Sequence, residues 1–144
     1  MRSALVVGAA VLSGAAVAVQ AQLTGVMQRQ TGTLESTFIT YFSGGILIGL
    51  VMLLARGGSL GSAAGLPWQV YTTGLLGLVV IGTISLSVGN LGLVPALVLI
   101  TVSQLVAGAV INHLGLLGAA VDPLDLGKVV GLALLGVGTY LVLN

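Results

Sequence analysis

The chain has 144 residues, of which 57% are hydrophobic and only 5% charged. A soluble domain carries roughly 25% charged residues, so this composition excludes a water-facing globular surface and points to an all-α integral membrane protein in contact with the lipid bilayer. A net charge of +1 and the absence of cysteine argue against a nucleic-acid partner, a disulfide framework, a thiolate metal site and a thiol nucleophile; one His and three acids leave too little for a metal or cofactor site.

Glycine accounts for 23 residues, well above the roughly 7% average. Together with few aromatics, this favours closely packed membrane helices over a β-barrel with aromatic girdles. The first apolar run of spanning length covers about residues 3–23, after Arg2. Val19-Gln20-Ala21 loosely resembles a signal-peptide cleavage site, but the run is taken as a retained helix because more spans follow. Ala9, Ser13, Ala16, Gln20 and Thr24 share one face at helical spacing. Val26 to Thr33 reads as a polar hairpin around Arg29.

The second helix covers about 34–55, with Thr33 as N-cap and Glu35 in its first turn. Gly45 and Gly49 form a GxxxG pair, and Tyr41 lies one turn before Gly45. Arg56 and a Gly/Ser-rich linker (residues 57–67) follow. The third helix covers about 67–88, with Trp68 at interface depth and Gly74, Gly82, Ser85 and Gly89 on one side; Asn90 and Gly92 make a tight turn.

The fourth helix, about 93–113, places Thr101, Gln104, Gly108 and Asn112 on one face and ends on His113. Amide side chains inside a span should face protein or water. A loop from Gly115 to Asp125 precedes the fifth helix, about 126–143, with Gly127, Gly131 and Gly138 on one side. The whole chain, 1–144, reads as a single transmembrane domain of five spans. Arg2, Arg56 and Lys128 then lie on one side of the membrane and Arg29 on the other, a weak positive-inside bias compatible with insertion in both orientations. An odd span number also means that a second copy joined to the first is inverted, the symmetry on which many transporters are built.

The segments QLTGVMQRQTG after Ala21, TYFSGGILIGL in the second helix, SQLVAGAVINHLGLLG across the fourth and GKVVGLALLGVGTYLV in the fifth resemble the short YdcZ-type family of the drug/metabolite transporter (DMT) superfamily. The resemblance spans nearly the whole chain. It implies a bacterial inner-membrane half-transporter of about five helices, assembling as an antiparallel pair. Thr24, Ser103-Gln104 and Asn112-His113 depart from the family's usual Asn, Gly-Gln and Asp-His, so a role that needs that amide or that charge does not transfer.

The candidate substrate-binding residues are Gln20, Tyr41, Ser85, Thr101 and Gln104. Each also has a plainer role: a membrane glutamine can clamp two helices, and Tyr41 can simply pack on Gly45. Glu35 and His113 are the candidates for proton or ion coupling, against dipole stabilisation of a helix start and a solvated helix end. Gly45, Gly49, Gly127 and Gly131 read as helix-packing seams. No acid lies at the centre of a span, which makes a neutral or zwitterionic substrate, or passive exchange, as plausible as proton-coupled cation export.

The expected function is one subunit of a small-molecule exporter working by alternating access. The polar faces of helices one, three and four would line a central cavity near Gln20, Ser85 and Gln104, and its partner would be a second copy or a paralogous subunit. The alternative is a non-transporting membrane scaffold held by glycine seams. No set of nucleophile, base and orienting residue suggests an enzyme.

Overall fold

In hydrocarbon the backbone has no water to bond to, so an apolar chain satisfies its own N–H and C=O groups by forming helices. The computed structural model describes residues 2–55, 61 and 65–144. It contains α1 (Arg2–Thr31), α2 (Thr33–Leu54), α3 (Thr73–Leu91), α4 (Leu93–Leu114) and α5 (Leu126–Leu143), with a 3-10 stretch, Trp68–Thr72, leading into α3. Five helical segments are long and apolar enough to cross a membrane. Arg56 and most of the Gly/Ser linker lie outside the described residues.

The largest departure from the sequence reading is at the end of α1. Val26 to Thr33 is not a hairpin: α1 continues to Thr31, and the chain reverses at Gly32 alone. Nothing from Val26 to Gln30 breaks a helix; these are ordinary helix formers whose polarity reflects the membrane surface. At 1.5 Å per residue the 30 residues of α1 extend about 45 Å, against a hydrocarbon core of about 30 Å. Gly32 has φ 107°, a conformation open to glycine at little cost. Its N–H donates to Gln28 O (2.9 Å) and its carbonyl accepts from Ser36 N (3.2 Å). Gly32 is therefore the N-cap of α2, and Thr33 is its first helical residue. The α3–α4 turn works likewise through Gly92, at φ 86°.

The chain forms two compact units, Met1–Asn90 and Leu91–Asn144. In the first, α2 runs antiparallel to both α1 and α3. Ser36 meets Ser85, Gly82 lies against Thr37 and Gly77 against the Tyr41 hydroxyl, so positions on α2 rise as those on α3 fall. α3 runs parallel to α1: Thr24 meets Ser85, Gly25 meets Val88, and the Gln28 side chain covers Gly89. Ala21, Thr24, Gly25, Ile84, Ser85 and Val88 are buried where these helices touch.

In the second unit α4 packs against α5, and Leu97, Thr101 and Val102 face Leu134, Leu135 and Thr139 across a groove between them. Their connection is tied down at the membrane surface. The Asp122 N–H donates to Asn112 O (2.9 Å) and the Leu124 N–H to His113 Nδ1 (3.1 Å). Asp125 caps α5 by accepting from Lys128 N (2.8 Å), while the Lys128 ammonium pairs with Asp122 and donates to Pro123 O.

Outside these contacts the helices are apolar all round. Leu12, Leu75 and Leu141 are 71%, 65% and 70% exposed, which only lipid or another protein surface accommodates. Burial in the protomer is concentrated in a few small residues, so fit at those positions carries its stability. A Cβ at Gly25 would lie 2.5 Å from Val88 Cγ1, whereas one at Gly44 would meet nothing within 4 Å. Gly25→Ala should destabilise the protein by about 1–3 kcal/mol through overpacking. Gly44→Ala should be neutral or stabilising by up to about 1 kcal/mol. Unfolding in mixed micelles followed by circular dichroism distinguishes the two.

Candidate functional site

Helical spacing places a polar side chain on a face, but the neighbouring helix decides whether it is consumed in packing or left open. Ser85 is consumed. It is fully buried, 2.7 Å from Ser36 Oγ and 3.2 Å from the Thr24 carbonyl. Ser36 Oγ also lies 3.0 Å from Thr33 O, and Thr24 Oγ1 donates to Ala21 O (3.1 Å). Each serine has one O–H, so the protons can run Ser36 to Ser85 to Thr24 O, or Ser85 to Ser36 to Thr33 O. The first chain ties α1, α2 and α3 together, and the second joins α2 to α3. Ser85 was expected to line a cavity; in this structure it is sealed between helices and presents no surface to a ligand.

Gln20 is left open. It lies on a groove of about 570 Å³ between α1 and α2, whose walls include Ala16, Leu23, Ile39, Ser43 and Leu47. Its carboxamide is exposed and makes no hydrogen bond among the described residues. The continuation of α1 also moves Gln20 away from a helix end. It sits about 14 Å along the axis from Arg29 at 1.5 Å per residue, within the hydrocarbon if Arg29 marks the interface. The groove pairs helix one with helix two rather than with helix three, whose polar side is buried. Thr40 and Ser43, which the sequence reading passed over, add hydroxyls to this groove. Their i, i+3 spacing with Leu47 one turn on was the available signal.

Tyr41 does not pack on Gly45. Its hydroxyl sits over Gly77 of α3, where only a glycine leaves room. Thr101 lines a groove of about 400 Å³ between α4 and α5, with no hydrogen bond among the described residues. Gln104 is exposed, lies outside that groove and is likewise unpaired. Gln20, Tyr41 and Ser85 therefore stand in three different settings within the first unit, and Thr101 and Gln104 in two within the second.

Glu35 is exposed in the first turn of α2, beside Gly32. It sits at the foot of the stacked Phe38–Phe42 pair, whose centroids are 5.5 Å apart. His113 accepts the Leu124 N–H and so shapes the α4–α5 connection. Gly45, Gly49 and Gly131 would each meet open space if given a Cβ, and Gly127 would meet Asp125 Oδ1 at 3.2 Å. Within the protomer, close approach uses Gly25, Gly77 and Gly89 instead.

Buried and open polar residues should respond differently to substitution. Ser85→Ala should lower stability by about 0.6–2 kcal/mol, the range for interhelical hydrogen bonds in membranes. Gln104→Leu should leave the unfolding midpoint of the protomer unchanged. Denaturant titration in monomer-favouring micelles reads both.

The polar groups that remain open, Gln20, Thr101 and Gln104, can bind by hydrogen bonding but hold no acid, base or nucleophile. No curated protein and no solved structure matches this chain. A family model described as "Putative inner membrane exporter, YdcZ" matches residues 5–141. With five helical segments able to cross a membrane and a match over nearly its whole length, the chain belongs to the YdcZ family of multi-pass inner-membrane proteins.

Proposed function

We propose that the chain is one half of a small-molecule exporter, working by alternating access as an antiparallel pair with a second copy or a paralogous subunit. The observation that carries this reading is the pair of open carboxamides, Gln20 and Gln104, on lipid-length helices. Gln104 lies about 16 Å from the start of α4 at 1.5 Å per residue, which is mid-membrane for a span of 22 residues. An amide there needs a protein partner or a water-filled cavity.

A five-span chain pairs most simply with an inverted copy. In this scheme Gln20 and Tyr41 of the first unit, and Thr101 and Gln104 of the second, are each offered to the substrate or the partner, while Ser85 is bonded within the first unit. Glu35 is the acid available to a coupling ion. His113 is committed to its loop. Of the cations behind the charge bias, Lys128 is paired with Asp122, in keeping with weak commitment to one orientation.

The native chain has no cysteine, so single replacements report orientation cleanly. Gln30→Cys and Asp122→Cys, at opposite ends of the spans, should each react with a membrane-impermeant maleimide from both faces of the membrane. Labelling of each position from one face only would exclude the inverted homodimer and leave a paralogous partner to be found. Fixed orientation with no such partner in the purified assembly would overturn the pairing and favour the scaffold.

A further inference from the structure

The groove beside Gln20 carries more chemical information than its size. It is bounded by apolar side chains and includes no Asp, Glu, Lys, Arg or His. A permanent charge placed there would lose its hydration without a counter-charge, which selects for an uncharged ligand.

The polar atoms of the groove are also biased. Thr40 Oγ1 donates to Ser36 O (2.8 Å), and Ser43 Oγ donates to Ile39 O (2.8 Å) or Thr40 O (3.2 Å). Thr24 Oγ1 has given its proton to Ala21 O. The hydroxyls of Thr40 and Ser43 therefore face the groove with lone pairs only. The sole free N–H donors are those of the Gln20 carboxamide, which also contributes its carbonyl. Acceptors outnumber donor groups.

We infer that the α1–α2 groove binds an uncharged molecule with an apolar body and a donor-rich polar end, such as a primary amide, held by Gln20 with Thr40 and Ser43. The ligand's N–H groups satisfy the surplus acceptors, and its single carbonyl takes the Gln20 N–H. Leu23, Ile39 and Leu47 bury its apolar part. A volume of about 570 Å³ falls in the range of drug-sized sites, about 300–1,000 Å³. The inference rests on the exporter reading for its biological meaning, but the binding itself does not depend on it.

Four probes of nearly one shape separate charge from donor count: benzamide, N,N-dimethylbenzamide, benzamidinium and benzoate. Saturation-transfer NMR on the full-length protein in nanodiscs should rank benzamide first, with the other three at least tenfold weaker. Gln20→Leu should reduce benzamide binding about tenfold or more. Ala16→Phe, which fills the groove while keeping Gln20, should reduce it as well, with helicity checked by circular dichroism.

Preference for benzamidinium or benzoate would overturn the neutral-ligand inference, and equal binding of the dimethyl amide would overturn the donor bias. Equal signal from all four probes, or in wild type and Gln20→Leu alike, would mean apolar partitioning only and would overturn the site. So would no binding at all. Cysteine labelling of the protein in intact cells keeps the two proposals apart: benzamide binding by a protein that inserts in a single orientation would remove the inverted pair and leave the groove standing.

Discussion

A polar group in hydrocarbon must be satisfied by protein or trapped water, and this constraint orders the structure. Hydroxyls meet it locally. Thr37, Thr40, Ser43, Thr83 and Thr139 each donate to a carbonyl one turn back in their own helix, a bond that lets Ser and Thr sit on an apolar helix at small cost. Ser36, Ser85 and Thr24 meet it across helices and fix three of them together. Among the described residues no buried side-chain nitrogen or oxygen lacks a partner. A carboxamide has two N–H bonds and a carbonyl to satisfy, more than these local contacts supply. Gln20, Gln22 and Gln104 are exposed carboxamides that make no hydrogen bond among the described residues, and of these Gln20 lines a groove.

The same constraint divides the glycines. Gly25, Gly77 and Gly89 are small because Val88, Tyr41 and Gln28 lie against them. Gly32 and Gly92 are glycine because the chain turns there with positive φ. A Cβ at Gly45, Gly49 or Gly131 would meet nothing within 4 Å among the described residues, so these glycines make no close approach there. Close packing inside the first unit thus draws on glycines other than the GxxxG pair. Asp122, Asp125, Lys128 and His113 serve a third purpose, fixing the short connection that returns the chain into α5.

Much of this was legible in the sequence. The spans follow from apolar runs of sufficient length, and the turn at Gly92 from its position between two of them. The face of Gly82, Ser85 and Gly89 on α3 was visible from spacing; its burial was not, because periodicity defines a face without naming what covers it. For the same reason Tyr41 had Gly45 as its obvious neighbour in sequence, while its real contact, Gly77, is on another helix. The end of α1 was misread because Gln28, Arg29 and Gln30 look like a loop when polarity is equated with a break. Their propensity is helical, and only Gly32 breaks the pattern. In the groove, Gln20 stood out as an amide, whereas Thr40 and Ser43 did not, since hydroxyls are common in helices that bind nothing.

The proposed inverted pair would finish the open carboxamides and so join the family membership to the geometry of the chain. The separation of equivalent residues in the pair tests this most directly. With spin labels at Gln30→Cys or Gln104→Cys in liposomes, pulsed dipolar spectroscopy reads that separation. An antiparallel pair puts the two Gln30 labels on opposite membrane surfaces, about 30 Å apart or more. It keeps the two Gln104 labels near mid-depth, within about 20 Å, or two helix spacings. Gln30 labels well inside the bilayer thickness of each other would place the copies parallel, and no dipolar coupling at either position would leave the chain unpaired; either result contradicts the account.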